Sequence, residues 1–297
     1  FGRACARALR ARTLAAPTRL LTTADRGITT RPRTIVVNRQ TSGCDSAMPL
    51  LRTVDELTAL RTKPRRLLAV FAHPDDEAYG CAGTLARVGG DADASAVLLT
   101  MTRGEASSMG PQRRLSPEQV GQLRESRLED VAEITRLDGL LVPGLPDGRL
   151  ARLDLDVLAA PIRAAIEAFA PQVVVTHDAR GVNGHADHIA THWAVRHALG
   201  GSAGVRLALI AYTPETAEAA QPRLLFATAL DEIDATLDLD AAEIDAKEAC
   251  LQVHEALVTL REEPAEGLLQ RPPVEHYDFL GQPQDPPVGD LFSGLSR

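Results

Sequence analysis

Four short apolar runs limit what this chain can fold into: Leu67–Phe71 (LLAVF), Ala96–Met101 (AVLLTM), Gly139–Val142 (GLLV) and Gln172–Thr176 (QVVVT). Each is too short for a core helix and too uniformly apolar to keep one face wet. That is the signature of strands covered on both sides. Segments of helix length lie between them. Gly83–Val88 opens one helix. Ser116–Leu137 is a second, with Ser116 as N-cap and Pro117 at the first helical position. Leu153–Phe169 is amphipathic, and Asp187–Leu199 follows the fourth run. Strands separated by helices imply βαβ units. The expected fold is therefore α/β, a three-layer αβα arrangement around a mainly parallel, Rossmann-like sheet. Further along, Arg206–Tyr212 and Arg223–Ala229 are expected as strands and Ala241–Leu260 as a long helix. The Pro-rich end is expected to wrap the surface. Asp231–Asp245 holds seven acids in fifteen residues and reads as a solvated entry to that last helix.

Composition narrows the class of partner. A net charge of −8 argues against a broad surface for polyanions, and 3% aromatics against base-stacking platforms. No nucleic-acid partner is expected. No apolar run approaches the ~18 residues of a membrane span. The four cysteines, Cys5, Cys44, Cys81 and Cys250, are widely spaced and form no CxxC pair. They point to a reduced, cytoplasmic setting without a disulfide framework or zinc finger. Residues 1–47 differ from the rest. They carry nine Arg, no Lys and two acids, which leaves −15 for the other 250 residues. Arg-rich, acid-poor leaders resemble transit peptides. The first methionine is Met48, which equally suits an added or upstream-translated extension. Residues 1–47 are expected to be a mobile extension, and 48–297 one domain with a Pro-rich tail.

Two of the apolar runs feed directly into polar clusters. Leu67–Phe71 leads into His73-Pro74-Asp75-Asp76-Glu77, and Gln172–Thr176 into His177-Asp178 and then Gly184-His185-Ala186-Asp187-His188. Sites in open parallel sheets form at the carboxyl ends of strands, which is where both clusters fall. Three adjacent acids cannot be buried uncompensated, so a cation is expected among them. His73 and Asp76 are three residues apart, as are His185 and His188. Two imidazoles and one carboxylate with an open fourth position suit a catalytic zinc ion. They suit a non-haem iron triad equally. Zinc is preferred because such iron oxygenases usually sit on all-β sandwiches, an argument from fold analogy. Asp75, a spare acid beside the cluster, can serve as general base toward water. Glu77 is expected to support its loop and Cys81 to be a packed thiol. His177 is expected either to line the cleft or to make a strand-end hydrogen bond. His192 and His197 are expected in core or surface roles.

The pair AHPDDE and GHxDH, about 110 residues apart, resembles the PIG-L/LmbE family, zinc-dependent N-deacetylases of N-acetylglucosaminyl compounds. The resemblance runs from about Arg66 to Leu199 and more weakly to the helix with His254. Thr102-Arg103-Gly104-Glu105 and Leu145-Pro146-Asp147-Gly148 also resemble family segments. It implies His73, Asp76 and His188 as zinc ligands and Asp75 as general base. His185 would stabilise the oxyanion or protonate the leaving amine, and Asp187 would tune a neighbouring histidine. An arginine before the third strand, Arg127 or Arg124, would hold the substrate, a small acetamido sugar. Self-association is also implied. The chain departs from the pattern at four places, one of them the Arg-x-x-Glu of the substrate helix, which only Arg127-x-x-Asp130 approximates. Ala186 stands for the usual Pro, Leu257 for a common Gln, and Asn183 for an aromatic frequent in mycothiol-pathway members. Asn183 is thus a candidate for substrate contact. The rival readings are an Fe(II) enzyme using the same triad and a non-catalytic metal- or sugar-binding protein.

Overall fold

Strand β1 (Arg65–Phe71) is buried along most of its length, and alternate side chains enter two different cores. Leu67, Ala69 and Phe71 face one, while Leu68 and Val70 face the other. A strand can bury both faces only if helices cover both sides of the sheet. A computed structural model of the protein shows this arrangement and describes residues 50–200, 204–222, 224–258 and 273–295. The extension expected over 1–47, with Cys5 and Cys44, lies outside the described residues.

The chain passes from β1 through α1 (Asp76–Gly80) and α2 (Ala82–Gly89) to β2 (Ala94–Thr100). The short α3 (Met109–Arg113) and long α4 (Pro117–Thr135) lead to β3 (Gly139–Leu141). Then come α5 (Leu155–Phe169), β4 (Val173–Thr176), α6 (Gly181–Gly184), α7 (Ala186–Leu199) and β5 (Arg206–Ala211). The chain continues through α8 (Pro214–Ala219), β6 (Ala235–Asp238), α9 (Ala241–Val258) and β7 (Val274–Phe279). The sheet order is β3-β2-β1-β4-β5-β7-β6. Strands β1 to β5 pair in parallel, and β7 is antiparallel to both its neighbours. Helices α5 and α7 cover the core holding Leu68, and α2 and α4 cover the one holding Leu67. Helix α9 packs against α2 and α4. From β1 the order grows one way to β3 and then reverses to β4. The carboxyl ends of β1 and β4 therefore flank the switch point at which such sheets bind ligands.

Local chemistry explains most boundaries. Ser116 is the N-cap of α4, as its sequence predicts, and Gln119 completes a capping box with it. Three expectations fail. Residues 224–229 form no strand. They lie as a strap on the β4–α7 loop, with the Phe226 amide donating to the Val182 carbonyl (2.7 Å) and Arg180 donating to the Ala227 carbonyl (2.9 Å). The acidic stretch Asp231–Asp245 is not wholly a solvated helix entry. It contains β6, and only then does Asp240 cap α9 through the Glu243 amide (2.9 Å). The tail, expected to wrap the surface, supplies β7, whose Glu275, Tyr277 and Phe279 point inward.

Glu275 is fully buried and its carboxylate is saturated. It accepts from Lys247 Nζ (2.6 Å), the Gly83 and Thr84 amides (3.0 and 2.8 Å) and Thr84 Oγ1 (2.6 Å). Burial alone would raise this carboxyl; Lys247 and the Thr84 donors outweigh it and hold it below its ordinary value. Its stabilisation is complete at neutral pH and is lost as the pH falls. Lys247→Met strands the charge. The expected loss is ~3 kcal/mol, the low end for a broken buried pair because the N–H donors remain. A urea midpoint read against an unchanged m-value checks it. Among the described residues, no helix is long and apolar enough to cross a membrane.

Candidate metal centre and active site

The β1 loop is built around Asp76. This residue opens α1, and its Oδ2 accepts the His73 amide (2.8 Å), which folds the two side chains toward one point. Between them Asp75 takes φ 110°, a conformation that costs a non-glycine residue ~1–3 kcal/mol and persists only where neighbours impose it. Arg124 of α4 imposes it from one side. Its guanidinium donates to Asp75 Oδ2 (3.0 Å), to the Pro74 carbonyl and to the Gly104 carbonyl (3.1 Å). Gly104 has φ +66°, and a Cβ there would run into that guanidinium. From the other side, Glu77 Oε2 accepts the Asp75 amide (3.1 Å).

The β4 loop is shaped by Asp178, which accepts the Val182 amide (2.5 Å) and turns the chain through Gly181. Gly181 has φ +68°; a Cβ would lie 2.8 Å from Ile189 Cγ1 and 3.1 Å from His188 Cβ. Its carbonyl accepts His188 Nδ1–H (3.1 Å). His185 is the N-cap of α7, its Nδ1 accepting the Asp187 amide (3.3 Å). His188 follows in the first turn of α7.

The two loops bring the donor groups of three residues together. His73 Nδ1 lies 3.2 Å from His188 Nε2 and 3.5 Å from Asp76 Oδ2, and His188 Nε2 lies 3.2 Å from Asp76 Oδ1. The far nitrogens of both rings meet acceptors only. His188 Nδ1 meets the Gly181 carbonyl; His73 Nε2 meets Asp147 Oδ1 (3.2 Å) and Asp187 Oδ2 (3.5 Å). Those contacts take the ring protons and leave a lone pair on each near nitrogen. Two lone pairs and a carboxylate facing one another at these distances repel unless a cation lies between them. Ligands on a tetrahedral zinc at 2.0–2.1 Å are spaced roughly 3.3–3.4 Å apart, so the donor set fits such an ion.

The surroundings favour positive charge. Burial alone would lower His73; with no metal ion between the donors, Asp147, Asp187 and Asp76 outweigh it and push it up to about 12, so a proton on Nδ1 competes with a metal ion for that lone pair. Burial also works against the Asp76 carboxylate, yet His188 and His177 hold it well below its ordinary range. Asp75 is raised by burial, against the pull of Arg124. His185 is lowered by burial and by His73 and His188.

Each residue singled out in the sequence can now be placed. Asp75, His185, Asn183 and Arg124 line a cleft of about 410 Å³ above the donor cluster. Arg127, one turn from Arg124, is not on that wall; its guanidinium pairs with Asp130 (2.8 Å). Asp187 faces His73 and also accepts the Leu150 amide (3.0 Å). His177 is buried at the strand end, stacked on His188 at 4.0 Å, with Nε2 3.3 Å from Asp76 Oδ2; burial pushes it down to about 4. Buried His192 donates to the His177 carbonyl (2.9 Å), and exposed His197 pairs with Asp156. Cys81 is a buried free thiol, as expected. Asp147 is the residue that sequence reasoning left without a role. Its one signal was its place in the Leu145–Gly148 segment that follows the third apolar run.

A family profile described as "PIG-L: GlcNAc-PI de-N-acetylase" matches residues 68–199, the span that holds both loops. Residues 68–199 belong to the PIG-L family. Similar proteins surround this PIG-L segment. One is a 1D-myo-inositol 2-acetamido-2-deoxy-alpha-D-glucopyranoside deacetylase of Kineococcus radiotolerans, 36% identical over 48% of this chain and 46% of that protein. Another of the same name, from Actinosynnema mirum, is 29% identical over 79% of this chain and 98% of its own length. A mycothiol S-conjugate amidase of Streptomyces coelicolor is 31% identical over 48% of this chain and 54% of the amidase. The match thus spans about half of the first and third relatives and nearly all of the second. Among solved structures, a zinc-inhibited form of teicoplanin deacetylase superposes with TM-score 0.56 at 17% identity, over 72% of this chain and 97% of that one. A 4-carboxy-2-hydroxymuconate hydratase of Pseudomonas putida gives 0.51 at 18%, over 72% and 95%. At these identities the structures speak for the α/β fold alone.

Proposed function

We propose that this protein is a zinc-dependent N-deacetylase that hydrolyses the acetamide of a small N-acetylglucosamine-type sugar. One observation carries the reading. Three lone-pair donors converge at ligand spacing, and a fourth group, the Asp75 carboxylate, stands beside them on the open cleft. A structural metal site has no use for that group. The similarity of the PIG-L segment to deacetylases of an acetamido sugar supports the substrate class.

His73, Asp76 and His188 would hold the ion. When bound, zinc supplies Lewis-acid polarisation of the amide carbonyl and of water. Asp75 takes a proton from the attacking water and later delivers it to the departing amine, giving acetate and a free amino sugar. His185 has its proton on Nε2, because Nδ1 already accepts the Asp187 amide. The neutral ring is thus an N–H donor to the developing oxyanion. Asp147 and Asp187 keep the His73 ring in the tautomer a ligand needs. Asn183 uses its side-chain oxygen on the His185 amide (3.1 Å), which leaves its NH₂ for a sugar hydroxyl. Arg124, on the cleft wall, is the substrate-side arginine of this reading.

Metal content by elemental analysis, paired with acetate release from a panel of N-acetylglucosaminides, tests it. The expected result is roughly one zinc per chain and acetate from at least one sugar. Chain purified without chelator that holds no metal would remove the ligand assignment. Full zinc with no acetate from any acetamido sugar would leave a binding protein.

A further inference from the structure

The strained backbone of Asp75 is held from below as well as from the cleft wall. Glu77 is fully buried and divides its carboxylate between two partners. Oε2 accepts the Asp75 amide (3.1 Å), and Oε1 lies 2.6 Å from Nε2 of His254 on α9. His254 is itself buried. A buried carboxylate without a counter-partner is costly, so the reach of Glu77 toward Asp75 depends on His254 being there. Seven residues earlier on α9, Lys247 holds Glu275, which in turn accepts the amides of Gly83 and Thr84. Residues seven apart share a helix face. One face of α9 therefore grips the segment that follows the site loop at both ends, at Glu77 in α1 and at Gly83–Thr84 in α2.

We infer that His254 and Glu77 are positioning residues: α9, through His254 and the Glu77 carboxylate, holds the Asp75 amide and so keeps the Asp75 backbone in its left-handed conformation with the carboxylate beside the ligand cluster. The inference rests on Asp75 as general base. Neither residue touches the cleft, and neither supplies a ligand atom. His73 and Asp76 are tied to each other by their own hydrogen bond. Loss of the α9 contact should therefore misplace the base and leave the ion site intact.

The test compares His254→Leu, which removes the donor, with His254→Gln, which keeps an N–H within reach of Glu77. Four quantities are read on the full chain: zinc affinity by chelator competition, amide exchange across residues 73–78, kcat and KM. For His254→Leu, exchange of the 73–78 segment should quicken ~10-fold over the parent while exchange in β1 and β4 is unchanged. Its kcat should fall ~10–100-fold, the range a misplaced catalytic group costs. Zinc affinity and KM should stay within about twofold, because nothing that contacts ion or sugar has changed. His254→Gln should recover most of both losses. Should the leucine variant fail to fold, Glu77→Gln replaces it. Its amide must serve both neighbours with one acceptor, and the expected pattern is the same in smaller measure. Unchanged exchange at 73–78 overturns the inference. So does a parallel drop in zinc affinity, global protection and kcat that glutamine does not rescue. A parent chain that releases no acetate sinks the deacetylase reading instead, and the exchange comparison then decides the α9 contact by itself.

Discussion

Asp75→Asn keeps its metal and loses most of its turnover. Acetate release should fall ~10²–10⁴-fold, the usual contribution of a positioned acid–base group, while zinc per chain matches the parent. The variant is nearly isosteric, and its side-chain oxygen can still accept from Arg124, so the loop has no reason to move. Asp75 is not among the three proposed ligand residues, so the proposed site should keep all its protein ligands. What disappears is an anion able to take a proton. An interaction made only in the transition state lowers kcat and kcat/KM together. Paired measurement of both constants with elemental analysis checks this. Near-native kcat would move the base elsewhere, with His185 the next candidate. Loss of zinc would show that Asp75 helps hold the ion.

What could be read ahead of the coordinates followed from where burial is two-sided. Strands β1, β2 and β4 lie between helical layers, so each is apolar along most of its length and the run announces itself. The helices between them show caps and periodicity. Once a parallel sheet is expected, the two polar clusters at strand ends point to the switch point without any coordinates. β7 was hidden because its inward row contains Glu275, whose burial is sustained by Lys247, Thr84 and two backbone amides from a segment some 190 residues away. No local pattern encodes partners at that distance. β6 was hidden among acids because its only inward residues are Ala235 and Leu237. The segment 224–229 misled in the opposite sense. It is apolar because Phe226 lies against Arg180 and the strap covers the site loop, and it needs no sheet neighbour. At the site, residue types and spacing pointed to the histidines and acids. The choice between Arg124 and Arg127 depends on which way α4 turns relative to the loop, about one hundred degrees per residue. Asp147 arrives from a third strand end, and its role depends on which nitrogen of His73 it meets.

His188→Ala should abolish tight metal binding, and the comparison with Asp147→Asn shows why that is a statement about the site rather than about folding. In the proposed site His188 is one of three ligand residues, so its removal leaves an imidazole and a carboxylate. Zinc recovered with the variant should fall below ~0.1 per chain, since a catalytic site with an open fourth position rests on three protein ligands. Asp147 is not one of the three proposed ligands. It holds His73 by its far nitrogen, and loss of such a partner weakens metal affinity by ~10–100-fold. Asp147→Asn should therefore titrate with zinc at higher concentration and reach the same stoichiometry. Melting temperature supplies the reading independent of activity. A ligand that binds only the folded state stabilises it by ~2.7 kcal/mol at one hundred times its Kd. The parent should melt higher with zinc than after chelation, Asp147→Asn should need more zinc for the same rise, and His188→Ala should show none. The variant alanine also removes the ring stacked on His177 at 4.0 Å. Its zinc-free melting point should then lie below the parent's zinc-free value by a packing loss that zinc does not restore. If His188→Ala instead gains stability with zinc as the parent does, the ion is held by a different trio. The neighbouring set His73, Asp147 and Asp187, which contains no atom of His188, is the one to test next.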